Sequence, residues 1–453
     1  MNQLSHRRGH HGKTDASYGR SLVRRALTWI LISAMAQSRR PTRALARPLP
    51  GLSSAAAVVP LTLASLVVSE FPMHVLIAES AAALTLARRG ALRHRSGVVG
   101  LLIAVGAWVQ LFAVRQRARN ASGILEASLQ SALGRDYQGS LTPDCGIERP
   151  ATWRDVWLPR FTERSRYLLH ENLSYGDRGI RNNLDIWRRN DLPLDARAPV
   201  LIQIHGSAWT KGSKRGQGYP LMAHMAERGW VCVAINYSLA PAAHWPAHII
   251  DTKRAIAWVK REIATYGGDP EFIAVTGGSA GGHLSALAAL SANDPVFQPG
   301  FEDADTSVQA AVPLYGVYDL LDRAGDSPPQ QEEFLTKIVI GASQDEAHGI
   351  WDHGSPLSHV RPDAPPMFVI HGDIDTFTNH EQARAFAQAL SAVSRNPVAY
   401  AELPGAQHSF DVMPSVRTSA TVRAIDRFLT FVQRKADVRI TEVLEGHADP
   451  AAG

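Results

Sequence analysis

From about residue 166 onward, brief apolar runs alternate with longer amphipathic stretches. The runs Leu184–Trp187, Val200–Ile204, Trp230–Asn236, Phe272–Thr276, Val308–Tyr315, Met367–Ile370 and Val398–Leu403 are short and rich in β-branched residues. That pattern predicts strands. Between them, "DTKRAIAWVKREIATYG" carries apolar residues at 255, 256, 259 and 263 and ends at Gly267. Asp251 is therefore expected to cap a helix. Gly281–Ala292, Glu381–Val393 and Val416–Arg434 also read as helices. Strand–helix alternation with nearly continuous apolar strands indicates a mostly parallel central sheet covered on both faces. No repeat of 20–50 residues is visible.

The first 119 residues follow another pattern. Ser96–Val114 is 19 residues without a charge. As a helix it reaches roughly 28 Å, close to the hydrocarbon thickness of a bilayer. Pro48–Ser69 is also uncharged but interrupted by Pro50 and Pro60, and Pro72–Ala87 is apolar except for Glu79. Arginines flank these stretches at 39, 40, 43 and 47, at 88, 89, 93 and 95, and at 115, 117 and 119. A signal peptide fits badly, because the apolar segments start far from Met1. The expectation is a multi-pass membrane anchor of two or three spans in the cell membrane, with the side of the catalytic domain left open. The chain then divides into a basic tail (1–47), a candidate membrane-spanning region (48–119), a linker or cap (120–165), a catalytic domain (166–436) and a C-terminal tail (437–453).

Charge sharpens that division. Residues 1–50 hold ten Lys or Arg and one acid, whereas residues 120–453 hold 30 basic and 39 acidic residues. The basic character belongs to the N-terminal region, and the larger domain gives no support to nucleic-acid binding. Of the two cysteines, Cys232 sits in a strand-like run and Cys145 in an irregular stretch. Neither has metal-type spacing, and a disulfide framework is not expected. His244 and His248 beside Trp245 read as surface or packing residues, and Glu332 and Glu333 as a solvated helix face.

The stretch "VTGGSAGGHL" carries the chemistry. Ser279 stands where a strand gives way to a helix, between glycines at 277 and 281. A corner of that kind strains and exposes a nucleophile, and the helix N-terminus behind it favours developing negative charge. Downstream, "MFVIHGDIDTF" carries Asp375 just past an apolar strand, and "AELPGAQHSFD" carries His408 just past another. The order Ser279, Asp375, His408 is that of an α/β-hydrolase triad. Upstream, "VLIQIHGSAW" ends a strand in a small-residue loop. The amides of Gly206 and Ser207, with that of Ala280, are candidates for an oxyanion hole. No metal and no organic cofactor is implied.

With these residues in place, residues 170–435 resemble the hormone-sensitive-lipase-type branch of the α/β-hydrolases. They are similar to isoprenylcysteine methylesterase, kynurenine formamidase and bacterial carboxylesterases. The matching motifs are "HGSAW", "NYSLAP", "WPAHIID", "YGGDP", "GGSAGGH", "HGDID" and the His408 loop. A hydrolase behind apolar N-terminal segments also resembles mycobacterial-type esterases. The resemblance implies a serine carboxylesterase acting on acyl esters, short ones in particular. It puts the catalytic acid at Asp375, leaving Asp373 to its turn, and residues 316–365 would form part of a cap over the site. Two departures stand out. The family usually has a second glycine where Ser207 stands, and "HGDID" is nearer to the acid loop of prolyl-oligopeptidase-like hydrolases. The second departure keeps an amidase of the formamidase or peptidase type as the alternative.

Overall fold

The computed structural model describes residues 17–28, 63–141, 164–325, 327 and 329–446. Eight strands form one sheet: β1 (Leu168–Ser174), β2 (Asn183–Trp187), β3 (Ala198–Ile204), β4 (Val231–Ile235), β5 (Gly268–Gly278), β6 (Ala310–Leu314), β7 (Met367–Gly372) and β8 (Val398–Leu403). Their order is β1-β2-β4-β3-β5-β6-β7-β8. β1 and β2 run antiparallel to their neighbours, and β4 through β8 pair in parallel. The seven strands expected from the apolar runs all form. β1 is the addition, a polar, mostly exposed edge strand whose "LLHENLS" gives no apolar run.

Helices cover both faces. Successive strand residues point to opposite sides, so Val200 and Ile202 join one cluster and Leu201 the other. The first layer is α6 (Ala247–Glu262), α7 (Ala280–Leu290) and α10 (His380–Val393). The second is α5 (Tyr219–Glu227) and α11 (Val416–Gly446), joined by part of a long N-terminal helix. Asp251 does not cap α6, which begins four residues earlier behind Pro246. Its carboxylate instead accepts the Ser238 N–H at 2.8 Å from inside the helix.

Ahead of the sheet lie a helix over 17–28 (α1), α2 (Leu63–Glu70), α3 (Pro72–Arg88) and α4 (Arg95–Leu133). Two features differ from the sequence reading. First, α4 runs unbroken through residue 120, where composition shifts. Beyond that point Ala121, Leu125 and Leu129 are buried in the cluster that contains α11 and β8. Second, among the described residues only α4 is by itself long and apolar enough to cross a membrane. α2 and α3 pass that test only as a pair bent by 97°. Of the two or three spans expected, the described residues thus hold one, or two if the bent pair counts as a span; the chain turns at Phe71–Pro72, where proline opens a new helix. Much of the 48–69 candidate, all of the arginines at 39–47, and Cys145 lie outside the described residues.

Candidate active site

The sheet register assembles the site. Parallel pairing sets Ile204 at the end of β3 opposite Gly277 near the end of β5, and Gly372 at the end of β7 opposite Leu403 at the end of β8. Four loops therefore leave the same edge side by side, as ligand-binding loops do in open parallel sheets.

Ser279 joins β5 to α7 with φ 60° and ψ −122°, and its N–H donates to Leu314 O at 3.0 Å. A side chain at Gly281 would run into the Ile204 carbonyl, and one at Gly277 would meet the Gly281 backbone at 2.6 Å. Close backbone approach therefore requires both glycines.

His408 follows β8, and its Nδ1 lies 2.7 Å from Asp375 Oδ2. Asp375 is completely buried as a side chain. Its Oδ1 accepts the N–H groups of Phe377 and Thr378 at 2.8 and 2.9 Å, and its Oδ2 accepts the Thr378 hydroxyl at 2.9 Å. Burial opposes its charge. The charge of His408 and the hydrogen bonds from His371 and His408 outweigh burial and hold the carboxyl below the usual range. Asp373 Oδ1 accepts the Gly405 N–H at 2.6 Å and ties the two loops together. Gln407 adds a second tie, accepting the N–H groups of Thr376 at 2.9 Å and of His408 at 2.8 Å. The imidazole is flanked by Tyr315 and Phe377, with ring centroids at 4.8 and 5.2 Å. The Tyr315 hydroxyl donates to Asp411, whose carboxyl is pushed up by burial.

The β3 loop has an unusual backbone. Ser207, Ala208 and Trp209 have φ of 80°, 53° and 57° in succession. The left-handed region disfavours side chains, so the serine at 207 is held in a conformation that a glycine would adopt without strain. The Gly206 N–H, expected among the oxyanion donors, is engaged by Gln217 Oε1 at 2.7 Å. The amides of Ser207, Ala208 and Ala280 donate to no other group among the described residues. The three residues form a left-handed turn, closed by the Thr210 and Lys211 N–H groups donating to Ser207 O at 3.2 Å, which leaves the N–H groups at its start available to an anion. Beneath the loop, His205 Nδ1 lies 2.9 Å from Gly206 O and its ring stacks on Tyr237. Burial pushes His205 and His283 down to about 4 and His248 to about 3, so all three are neutral packing groups at pH 7.

Ser279 and His408 open into one cavity of about 570 Å³. Ser207, Ala208, Trp209 and Gln217 line one side, and Thr376, Phe377 and Thr378 another. Val317, Gln330, Gln331, Phe334 and Leu335 close it from the 316–365 segment, through α8 (Pro329–Phe334) and the π-helical turn Leu335–Ile340. Elsewhere, ligand atoms of Asp294, His353 and His359 lie within 4.8 Å of one another, but none of the three lines the cavity. The sequence reading missed Ala208, Gln217, Tyr315, Thr378 and Gln407. Only Ala208 carried a signal, as the small residue after Ser207 in the loop already singled out.

Three comparisons show what the chain is similar to. The BD-FAE family signature matches residues 184–390. A probable carboxylic ester hydrolase of Mycobacterium tuberculosis, LipM, is 47% identical over 372 residues, covering 81% of this chain and 85% of its own length. Esterase LipQ of the same organism is 48% identical, covering 70% and 76%, and esterase LipC is 40% identical, covering 76% and 89%. Among solved structures, an esterase of Thermogutta terrifontis with bound butyrate is 27% identical over 53% of this chain and 84% of its own, with a TM-score of 0.45.

Proposed function

The chain belongs to the α/β-hydrolase carboxylesterases of the hormone-sensitive-lipase type, and from that premise we propose a Ser-His-Asp mechanism through an acyl-enzyme. Ser279 is the nucleophile. His408 takes its proton as it attacks the ester carbonyl and returns it to the leaving alcohol. Asp375 holds the imidazole by Nδ1 and stabilises its charged form. The observation that carries this reading is the 2.7 Å contact between His408 Nδ1 and Asp375 Oδ2, on a histidine sharing its cavity with Ser279. The oxyanion is received by the amides of Ser207 and Ala280, joined by Ala208. Gly206 serves the turn, since its own N–H is taken by Gln217. Water then attacks the acyl-enzyme with the same histidine as base.

The substrates are acyl esters, with short acyl groups favoured. Support comes from the Ser207 side chain at the site and from Phe334 and Leu335 closing the cavity. The catalytic unit is residues 166–436. The first half of α4 holds the enzyme to a membrane through its uncovered face, where Leu102 and Val109 are 68% and 66% exposed. The arginines at 115, 117 and 119 mark the end of that stretch.

A fluorophosphonate probe tests the chemistry. The wild-type enzyme should be labelled at Ser279 and lose esterase activity in proportion, whereas Ser279→Ala should be folded, unlabelled and inactive. Labelling at another serine, or turnover by Ser279→Ala within tenfold of wild type, would overturn the assignment. A panel of esters of graded acyl length and matching amides tests the substrate class, and faster amide turnover would favour an amidase.

A further inference from the structure

The loop that presents His408 leaves β8 at Pro404 and enters α11 at Ser415 and Val416. Both of its ends are held by one carboxylate from far away in the chain. Glu70, the last residue of α2, accepts the Ser415 hydroxyl on Oε2 at 2.6 Å and an N–H of Arg417 on Oε1. A second Arg417 nitrogen, Nη2, donates to Pro404 O at 3.2 Å. The Glu70 and Arg417 side chains are both fully buried. Among the described residues Glu70 is the sole acidic ion-pair partner of Arg417. Ser415 in turn accepts the Thr418 N–H at 3.1 Å, and the Thr418 hydroxyl donates to Phe410 O at 3.1 Å. The clamp thus reaches a residue two positions past His408.

A buried guanidinium keeps one geometry only while its counter-charge is present. A catalytic group displaced by about 1 Å loses on the order of 100-fold in rate. We propose that Glu70 is a positioning residue for His408: through Arg417 and Ser415 it closes the histidine loop at both ends, so that α2 is part of the catalytic apparatus. This rests on His408 being the general base. It also assigns a task to an acid that stands in an apolar N-terminal stretch and touches no substrate cavity.

The test uses the full-length protein with a short-chain nitrophenyl ester, at a temperature where circular dichroism shows each variant folded. Glu70→Gln keeps an acceptor for Ser415 but removes the charge. Arg417→Lys keeps a charge for Glu70 but loses the second arm to Pro404. Each should lower kcat at least tenfold with KM within twofold, and should slow phosphonylation of Ser279 by the same factor, because that step also needs the base. A residue that only adds stability would lower the melting temperature and leave both rates alone. Ser415→Ala removes the hydroxyl that bonds Glu70 and Thr418 but no charge, and should lower kcat a few-fold; it carries the test if the charge variants do not fold. His408→Ala is the control for the underlying reading. If it stays active, the assignment of the base fails. If it is inactive while the folded variants keep kcat and phosphonylation within twofold of wild type, the positioning role of Glu70 is overturned.

Discussion

The inner strands of the hydrolase sheet and the first half of α4 both carry apolar runs, and they are opposite in what covers them. Every residue of β4, β6 and β7 is buried. In the first half of α4, Gly97, Gly100, Ala104, Ala107 and Leu111 are buried, while Val98, Leu102, Val105, Val109 and Phe112 stand open on the other face. Their spacing of three and four is that of a single helical stripe. In the second half the helix turns Ala121, Leu125 and Leu129 into the hydrolase core. One helix therefore belongs to both regions. Damage to the sheet's C-terminal edge should remove chemistry and spare the fold. Damage to the N-terminal helices should reach stability and location first, except at Glu70, whose loss should also lower kcat.

The largest effect is expected within the site. Asp375→Asn should lower kcat by about 10⁴, the size of loss seen when a triad carboxylate is removed. Asp373→Asn, which keeps an acceptor for the Gly405 N–H but loses its charge, should cost less than tenfold and act mainly on the melting temperature. Steady-state kinetics on the two purified variants checks this, and the reverse ranking would exchange their roles.

Truncation comes next, because it attacks the shared helix. Removing residues 1–119 cuts α4 inside its helical run and deletes Glu70, leaving Arg417 buried without its partner. Loss of one member of a buried pair costs about 3–5 kcal/mol. Urea unfolding should show a destabilisation of that order. Equal stability would mean that the N-terminal region is a detachable anchor.

Acid should act more gradually. His205, His248 and His283 are held neutral by burial, with values near 4, 3 and 4, whereas the unfolded chain protonates near 6.5. Below pH 6.5 the unfolded state binds more protons than the folded one, so stability falls as pH drops toward 4. The slope is about 1.4 kcal/mol per pH unit for each such histidine. Denaturation midpoints compared at pH 7 and pH 5 measure it, and a flat profile would show that these rings can charge without opening the core.

The smallest effect on the fold should come from the exposed stripe. Leu102→Asp with Val109→Asp should change stability by less than about 1 kcal/mol and leave kcat unchanged. The same pair should move the protein from the detergent-requiring fraction toward the soluble one. Unchanged fractionation would remove the stripe from membrane attachment.

Local chemistry made much of the site legible from sequence. Only Gly tolerates the contacts at 277 and 281, and only certain loops follow a parallel strand with Asp or His at their tips. The sheet was legible because burial on both faces leaves the inner runs predominantly apolar, with buried exceptions such as Gln203 and Thr276. β1 escaped because an edge strand open to water needs no apolar pattern. The continuation of α4 escaped for a different reason. Its signal was present, as Ala118, Ala121, Leu125 and Leu129 at helical spacing, but the aliphatic density fell at the same place and suggested a boundary. Gln217, Gln407 and Glu70 act through contacts across 11 to 347 residues of chain. No local pattern announces such partners, and a lone glutamate in an apolar stretch looks like an interruption.

The unbroken course of α4 has a consequence for how substrate is met. At 1.5 Å per residue, its 39 residues extend about 58 Å, roughly half of which would match a hydrocarbon core. An enzyme on a flexible tether samples a hemisphere around its anchor, with a reach set by linker length. Here no tether intervenes, because the same rod that carries the apolar stripe is built into the hydrolase core. With that stripe in lipid, the mouth of the cavity would stay at one height and one tilt. Encounter then becomes a two-dimensional search, in which the ester must drift along the surface to a stationary opening.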